Sequence, residues 1–154
     1  MKYKIYLAAP LFSEAERTFN EQLKKKLSVD FDVYLPQEDG MLIVDLVKKG
    51  IPFSLASKKI FNTDLNAIKK SDILLIVLDG RAVDEGAAVE LGFAFREGKR
   101  CIGYSTDPRC LLPYGQNPMV TGCLENTVHS VEEFYEHIFK QKGVFVCESL
   151  LYHV

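Results

Sequence analysis

Residues 72–78 read DILLIVL, six consecutive apolar residues behind a single acid. A strand with one face in water alternates apolar and polar side chains, so an unbroken apolar run marks a central strand, covered on both faces of its sheet. The rest of the chain is arranged around it in a regular order. Residues 3–9 form a short apolar strand broken at Pro10, and Ser13 is placed to cap a helix running to about Leu27. A second strand over 31–35 ends at Pro36, and residues 37–57 follow as a partly helical excursion interrupted by Gly40, Gly50 and Pro52. Ile60, Leu65 and Ile68 give a helix over 56–70 that leads into the central strand. Beyond it come a polar loop (79–84), a helix over 85–97 closed by Gly98, and a strand over 99–104. The stretch 105–127, with Pro108, Pro113, Gly115, Pro118 and Gly122, reads as irregular, and its length points to function or to a contact between subunits. An amphipathic helix over 131–140 and a final strand over 144–147 complete the expected order.

Strands that alternate with helices need crossover connections, which place helices on both faces of a mainly parallel sheet. The expected fold is therefore α/β, a flavodoxin-like three-layer sandwich with a five-stranded, mainly parallel sheet. The 154 residues are enough for one core, so residues 1–154 read as a single domain. In such sheets ligands bind outside the carboxyl ends of the strands, which directs attention to the loops beginning near Ala9, Asp79 and Ser105.

Charge narrows the partners. Nineteen basic against 21 acidic side chains leave a net charge of −2, which provides no general attraction to nucleic acid or anionic lipid, and neither is expected as a partner. No apolar run approaches the roughly 20 residues that cross a bilayer. The opening MKYKIYLAAP meets Pro10, Glu14 and Glu16 too early for a secretory signal, so a cytoplasmic location is expected. Cys101, Cys110, Cys123 and Cys147 lie too far apart for zinc knuckles or redox pairs and read as reduced thiols.

The segment GAAVELGFAF, residues 86–95, carries Glu90 as its one charged side chain. A carboxylate on an apolar helical turn must find partners or become a weaker acid, and active sites supply both conditions more often than other places. The plainer alternative is that Glu90 points to solvent. Gly86, Ala87, Ala88 and Gly92 would let a ligand approach the helix closely. Asp84, six residues earlier, is placed to cap the first turn, but two carboxylates at this edge also suit chemistry at a glycosidic centre. Asp64 in FNTDLNAI reads as an ordinary exposed helical acid, Asn117 as a turn former and Met119 as a gap filler. There is no GxSxG, no GxGxxG and no phosphate-binding Gly-Lys-Ser/Thr loop. His129, His137 and His153 lack ligand spacing, so no metal is expected.

Taken together, KIYLAAPLF, FNTDLNAIKKSDILLIVLDG, DEGAAVELGFAFREGK and NPM resemble the nucleoside 2-deoxyribosyltransferase family, over residues 4 to about 119. Asp84, Gly86, Glu90, Gly98 and Lys99 meet the family's composite pattern. The resemblance implies that Glu90 is the nucleophile toward the anomeric carbon of a 2-deoxyribonucleoside. It further implies that Asp64 handles the base's proton and that Asp84 holds a sugar hydroxyl. Tyr6 would orient the nucleophile, Phe12 would wall the base and Gln37 would read its edge. Asn117 and Met119 would arrive from a neighbouring subunit, implying a homo-oligomer whose substrates are a deoxyribonucleoside and a free nucleobase, with no metal or organic cofactor. The tail LYHV departs from relatives that place an aromatic residue last. Two other readings remain open at this stage. One is a hydrolase of nucleoside 5′-monophosphates, for which Ser13 and Arg17 would be the phosphate donors. The other is a non-catalytic nucleotide-binding or receiver-like module, against which Ala8, Ala9 and Pro10 stand where an acidic pair would be needed.

Overall fold

The computed structural model describes residues 2–109 and 115–140. Strand β1 (Lys4–Ala8) is followed by α1 (Glu14–Leu27), β2 (Asp32–Tyr34), the short helices α2 (Pro36–Asp39) and α3 (Ile43–Lys48), and α4 (Phe53–Lys70). Then come β3 (Ile73–Val77), α5 (Glu85–Arg96), β4 (Arg100–Tyr104), α6 (Pro118–Thr121), β5 (Asn126–Val128) and α7 (Val131–Lys140). The five strands pair in the order β2-β1-β3-β4-β5, and every pairing is parallel. This is the flavodoxin-like order, with its reversal point between β1 and β3. Every residue of β3 is buried, as the unbroken apolar run requires.

The two faces of the sheet are covered by different helices. Ile5 and Leu7 of β1 pack with Leu23 and Leu27 of α1 and Phe134 and Ile138 of α7. Tyr6 and Ala8, alternating to the other side, pack with Ile68 of α4 and Ala87, Leu91 and Ala94 of α5. Helix α1 starts where expected: Ser13 Oγ accepts from Glu16 N, while Glu16 Oε2 accepts from Ser13 N, a reciprocal capping box. In β4 a side chain at Gly103 would come within 2.8 Å of Leu78 Cδ1 and 2.9 Å of Thr127 Oγ1, so any larger residue there would force these neighbouring side chains to shift.

Two expectations need correction. The stretch 105–127 is not irregular throughout: it contains α6 and the start of β5, where Ile102, Gly103 and Tyr104 pair with Asn126, Thr127 and Val128. The sequence NTV was too short and too polar in its surroundings to stand out as a strand. The fifth strand of the sheet is thus at 126–128, and the strand expected over 144–147 lies outside the described residues. In addition, α4 starts at Phe53 rather than near residue 56, because Pro52 stands at its N-cap and leaves the next residue free to begin the helix.

Candidate active site

Tyr6 lies in the middle of β1 with its ring fully buried on the α4/α5 side of the sheet. Its hydroxyl donates to Glu90 Oε1 at 2.6 Å, linking the strand to the middle of α5 across 84 residues of sequence. Glu90 therefore does not point to bulk water. Burial raises its pKa to about 7; the Tyr6 hydrogen bond acts in the opposite sense, and the charges of Asp64 and Asp84 raise it further. Burial and the adjoining Glu90 charge push the Tyr6 hydroxyl far up, so it stays protonated and can only donate to the carboxylate.

Asp64 is not the ordinary exposed acid that its sequence context suggested. It is half-buried on α4, and burial lifts its carboxyl to about 6. Periodicity could not reveal this, because the burial arises from packing of α4 beside β1 and α5. The Asp64 charge is one of the influences that raise Glu90, so the nucleophile candidate feels the ionisation of the carboxyl on α4. A carboxylate pair of this kind can divide attack and proton transfer between its members.

Asp84 is the N-cap of α5, its Oδ2 accepting from Ala87 N at 2.9 Å, and its charge reaches Glu90. A side chain at Gly86 would sit 3.1 Å from Asp84 Oδ2, so the glycine leaves room for the capping carboxylate. The rest of the expected set lies further out. Phe12 is 76% exposed on the loop after β1, and its N–H donates to Glu16. Asn117 caps α6 by accepting from Met119 N, and the Met119 side chain is 80% exposed. Gln37 has both ends of its amide occupied by α1: Oε1 accepts from Asn20 Nδ2, and Nε2 donates to Arg17 O and Glu21 Oε1. Among the described residues no hydrogen bond or ion pair joins Phe12, Gln37, Asn117 or Met119 to Glu90.

Three features were missed in the sequence. Tyr34 of β2 is the register partner of Tyr6, and the two rings stack with centroids 5.4 Å apart and planes 18° from parallel. The one available signal was its place at the end of a short strand. Asn20 is buried and donates to Pro10 O at 2.8 Å, fixing the loop after β1. Asp79 accepts from Thr106 N, Thr106 Oγ1 and Asp107 N, while Asp107 accepts from Gly80 N, so the loops after β3 and β4 are clasped together. A groove of about 470 Å³ runs between β2 and α4, lined by Lys4, Asp32, Tyr34, Thr63, Asn66 and Lys70 among others. Among the described residues no group of three or more His, Cys, Asp or Glu is placed to hold a metal ion, and no helix is long and apolar enough to cross a membrane.

The fold and the site together define the class, an α/β protein with a parallel sheet and two desolvated carboxyls on one of its faces. Residues 5–143 match the family described as nucleoside 2-deoxyribosyltransferase, and the chain belongs to that family of glycosyl-transferring enzymes. Among solved structures it is similar to a conserved protein from Enterococcus faecalis, at 27% identity over 92% of this chain and 99% of that one, with a TM-score of 0.73. It shares its fold with a 2-deoxyribosyltransferase from Bacillus psychrosaccharolyticus (24% identity, 90% and 94% covered, TM-score 0.65). It also shares its fold with a CMP N-glycosidase from Clostridium botulinum (18%, 88% and 97% covered, TM-score 0.52). No curated protein matches the chain at a significant level.

Proposed function

We propose that the protein is a nucleoside 2-deoxyribosyltransferase that exchanges nucleobases on 2-deoxyribonucleosides by double displacement. The observation that carries this reading is the 2.6 Å hydrogen bond from buried Tyr6 to Glu90, with the half-buried Asp64 nearby. In the first step ionised Glu90 attacks the anomeric carbon, the N-glycosidic bond breaks, and Asp64 delivers a proton to the departing base. This leaves an inverted deoxyribosyl ester on Glu90. In the second step Asp64 takes a proton from the incoming base, whose nitrogen attacks the anomeric carbon and releases Glu90. Two inversions give net retention. Tyr6 holds the attacking oxygen pair in place, and its hydrogen bond favours the ionised carboxylate, the form that attacks, over the neutral acid. A 2-deoxy sugar suits this site because the cationic centre forms more readily without an electron-withdrawing hydroxyl beside it.

In this reading Asp84 holds a sugar hydroxyl with the carboxylate oxygen left over from capping, and Gly86 keeps the approach to it open. Phe12 walls the base, and Gln37 reads its edge after exchanging one of its bonds to α1. Asn117 and Met119 complete the site of a second copy of the chain; their exposure on the β4–β5 connection supports this. No metal or organic cofactor takes part.

The test is incubation with deoxyinosine and free adenine. Deoxyadenosine should form, whereas release of deoxyribose alone would establish the hydrolase instead. The hydrolase reading needs phosphate donors after β1, and the residues available there already spend part of their hydrogen-bonding capacity within the loop and α1. Arg17 Nη1 donates to Leu11 O and Phe12 O, and Ser13 Oγ caps α1.

A further inference from the structure

We infer that Asn20 is a positioning residue for base recognition, its one side-chain NH2 group setting both the Gln37 amide and the loop that carries Phe12. The inference deepens the proposed function, since it rests on Gln37 reading the base edge and Phe12 walling the base. Asn20 is 1% exposed and shares the buried face of α1 with Leu23 and Leu27. Its Nδ2 donates to Pro10 O at 2.8 Å and to Gln37 Oε1 at 3.0 Å, which spends both amide hydrogens. Its Oδ1 is shut off from solvent and has no partner among the described residues. An apolar side chain would fill this face without that penalty, so what sets Asn20 apart is what its nitrogen holds.

Polarity runs one way through these bonds. A backbone carbonyl can only accept, so Pro10 O fixes which end of the Asn20 amide faces the loop, and the atom of Gln37 that meets Asn20 must then be the acceptor Oε1. The far end agrees, because Gln37 Nε2 donates to another carbonyl, Arg17 O, at 3.1 Å and to Glu21 Oε1 at 3.2 Å. Turning the Gln37 amide over would set nitrogen against nitrogen at Asn20 and oxygen against oxygen at Arg17. The bond to Glu21 is the longest of the three and its partner is an exposed side chain, so it is the one exchanged for a base. An N–H, not the carbonyl, is then what the base meets. The loop is held from the same helix: Pro10 O by Asn20, and Leu11 O and Phe12 O by Arg17 Nη1 at 3.0 Å each. Phe12 N donates to Glu16 Oε2 at 3.0 Å, so an exposed ring stands on a pinned backbone. Asn20 thereby joins the wall to the reading amide.

Two variants test this. Asn20→Leu removes the donor and keeps the bulk, and Asn20→Ser, too short to span to Gln37, covers failure of the first to fold. Each is assayed alone and combined with Gln37→Ala, with deoxyguanosine as donor and adenine or hypoxanthine as acceptor, two bases that carry an amino and a carbonyl group at the same ring position. KM for the acceptor base should rise about 5-fold while kcat at saturating base stays within about 2-fold of wild type. The adenine-to-hypoxanthine ratio of kcat/KM should move in the same direction as in Gln37→Ala, and the double variant should move it no further, because Asn20 acts through Gln37. By NMR relaxation, the order parameter of the Gln37 side-chain nitrogen should fall in both Asn20 variants. An unmoved ratio and order parameter with only a lower melting temperature, or full additivity in the double variant, would overturn the inference and leave the role of Gln37 standing. Wild-type base selection in Gln37→Ala would instead overturn the reading of Gln37 as the group at the base edge, and the inference with it.

Discussion

On the side of the sheet covered by α1 and α7, the interior is apolar and aromatic: Phe31 meets the rings of Phe134, Tyr135 and Phe139 at centroid distances between 5.3 and 5.9 Å. On the side covered by α4 and α5, the packing admits Glu90, Asp64 and two tyrosine hydroxyls. One side lowers the free energy of the fold by ordinary burial. The other sustains two carboxyls that burial makes harder to ionise, which opposes folding at neutral pH and prepares the chemistry. Stability and reactivity are thus separated by a sheet one residue thick, and alternation along β1 sends Ile5 and Leu7 to the first side and Tyr6 to the second.

Substitutions on the two sides should therefore have opposite signatures. Glu90→Ala is expected to lower base exchange by about 10³-fold or more while the protein stays folded, as judged by kinetics and thermal melting. Phe134→Ala should do the converse, costing about 3–5 kcal/mol in denaturant unfolding, with exchange by the remaining folded fraction nearly normal. Glu90→Gln sharpens the contrast through pH. The folded protein holds the Glu90 proton up to about 7, whereas the unfolded chain releases it near the ordinary 4.5, so this group's effect on stability worsens as pH rises between those values. The Gln variant should match wild type near pH 4 and exceed it above pH 7 by up to about 3 kcal/mol, measured by urea unfolding across that range. Were the two curves parallel, Glu90 would not be desolvated.

Smaller effects test the supports of the reactive side. Tyr6→Phe removes the donor that favours ionised Glu90, so the Glu90 titration midpoint, read by NMR of its carboxyl carbon, should move up by about one unit. Asp84→Ala loses the N-cap of α5 and should cost about 1 kcal/mol, whereas Asp84→Asn should keep the cap. Both should impair exchange if the carboxylate also holds a sugar hydroxyl, and a fully active Asn variant would reduce Asp84 to a cap.

What the sequence disclosed follows the same division. The apolar run of β3 and the lone acid of α5 were legible because each depends on local pattern: an uninterrupted hydrophobic strand and a charge where none is expected. Asp64 and Tyr34 were not, because a half-buried helical acid and a stacked strand tyrosine acquire their character from elements distant in sequence. Strand β5 escaped for a third reason. Three residues that gain their strand conformation by pairing with Ile102–Tyr104 carry too little periodicity of their own.

The most direct test of the account is to quench the protein after exposure to a deoxyribonucleoside without acceptor base and to map any added mass by peptide mass spectrometry. One deoxyribosyl group should appear on the peptide containing Glu90 and be absent from Glu90→Ala. A deoxyribosyl group on any other residue, or exchange that persists undiminished in Glu90→Ala, would contradict it.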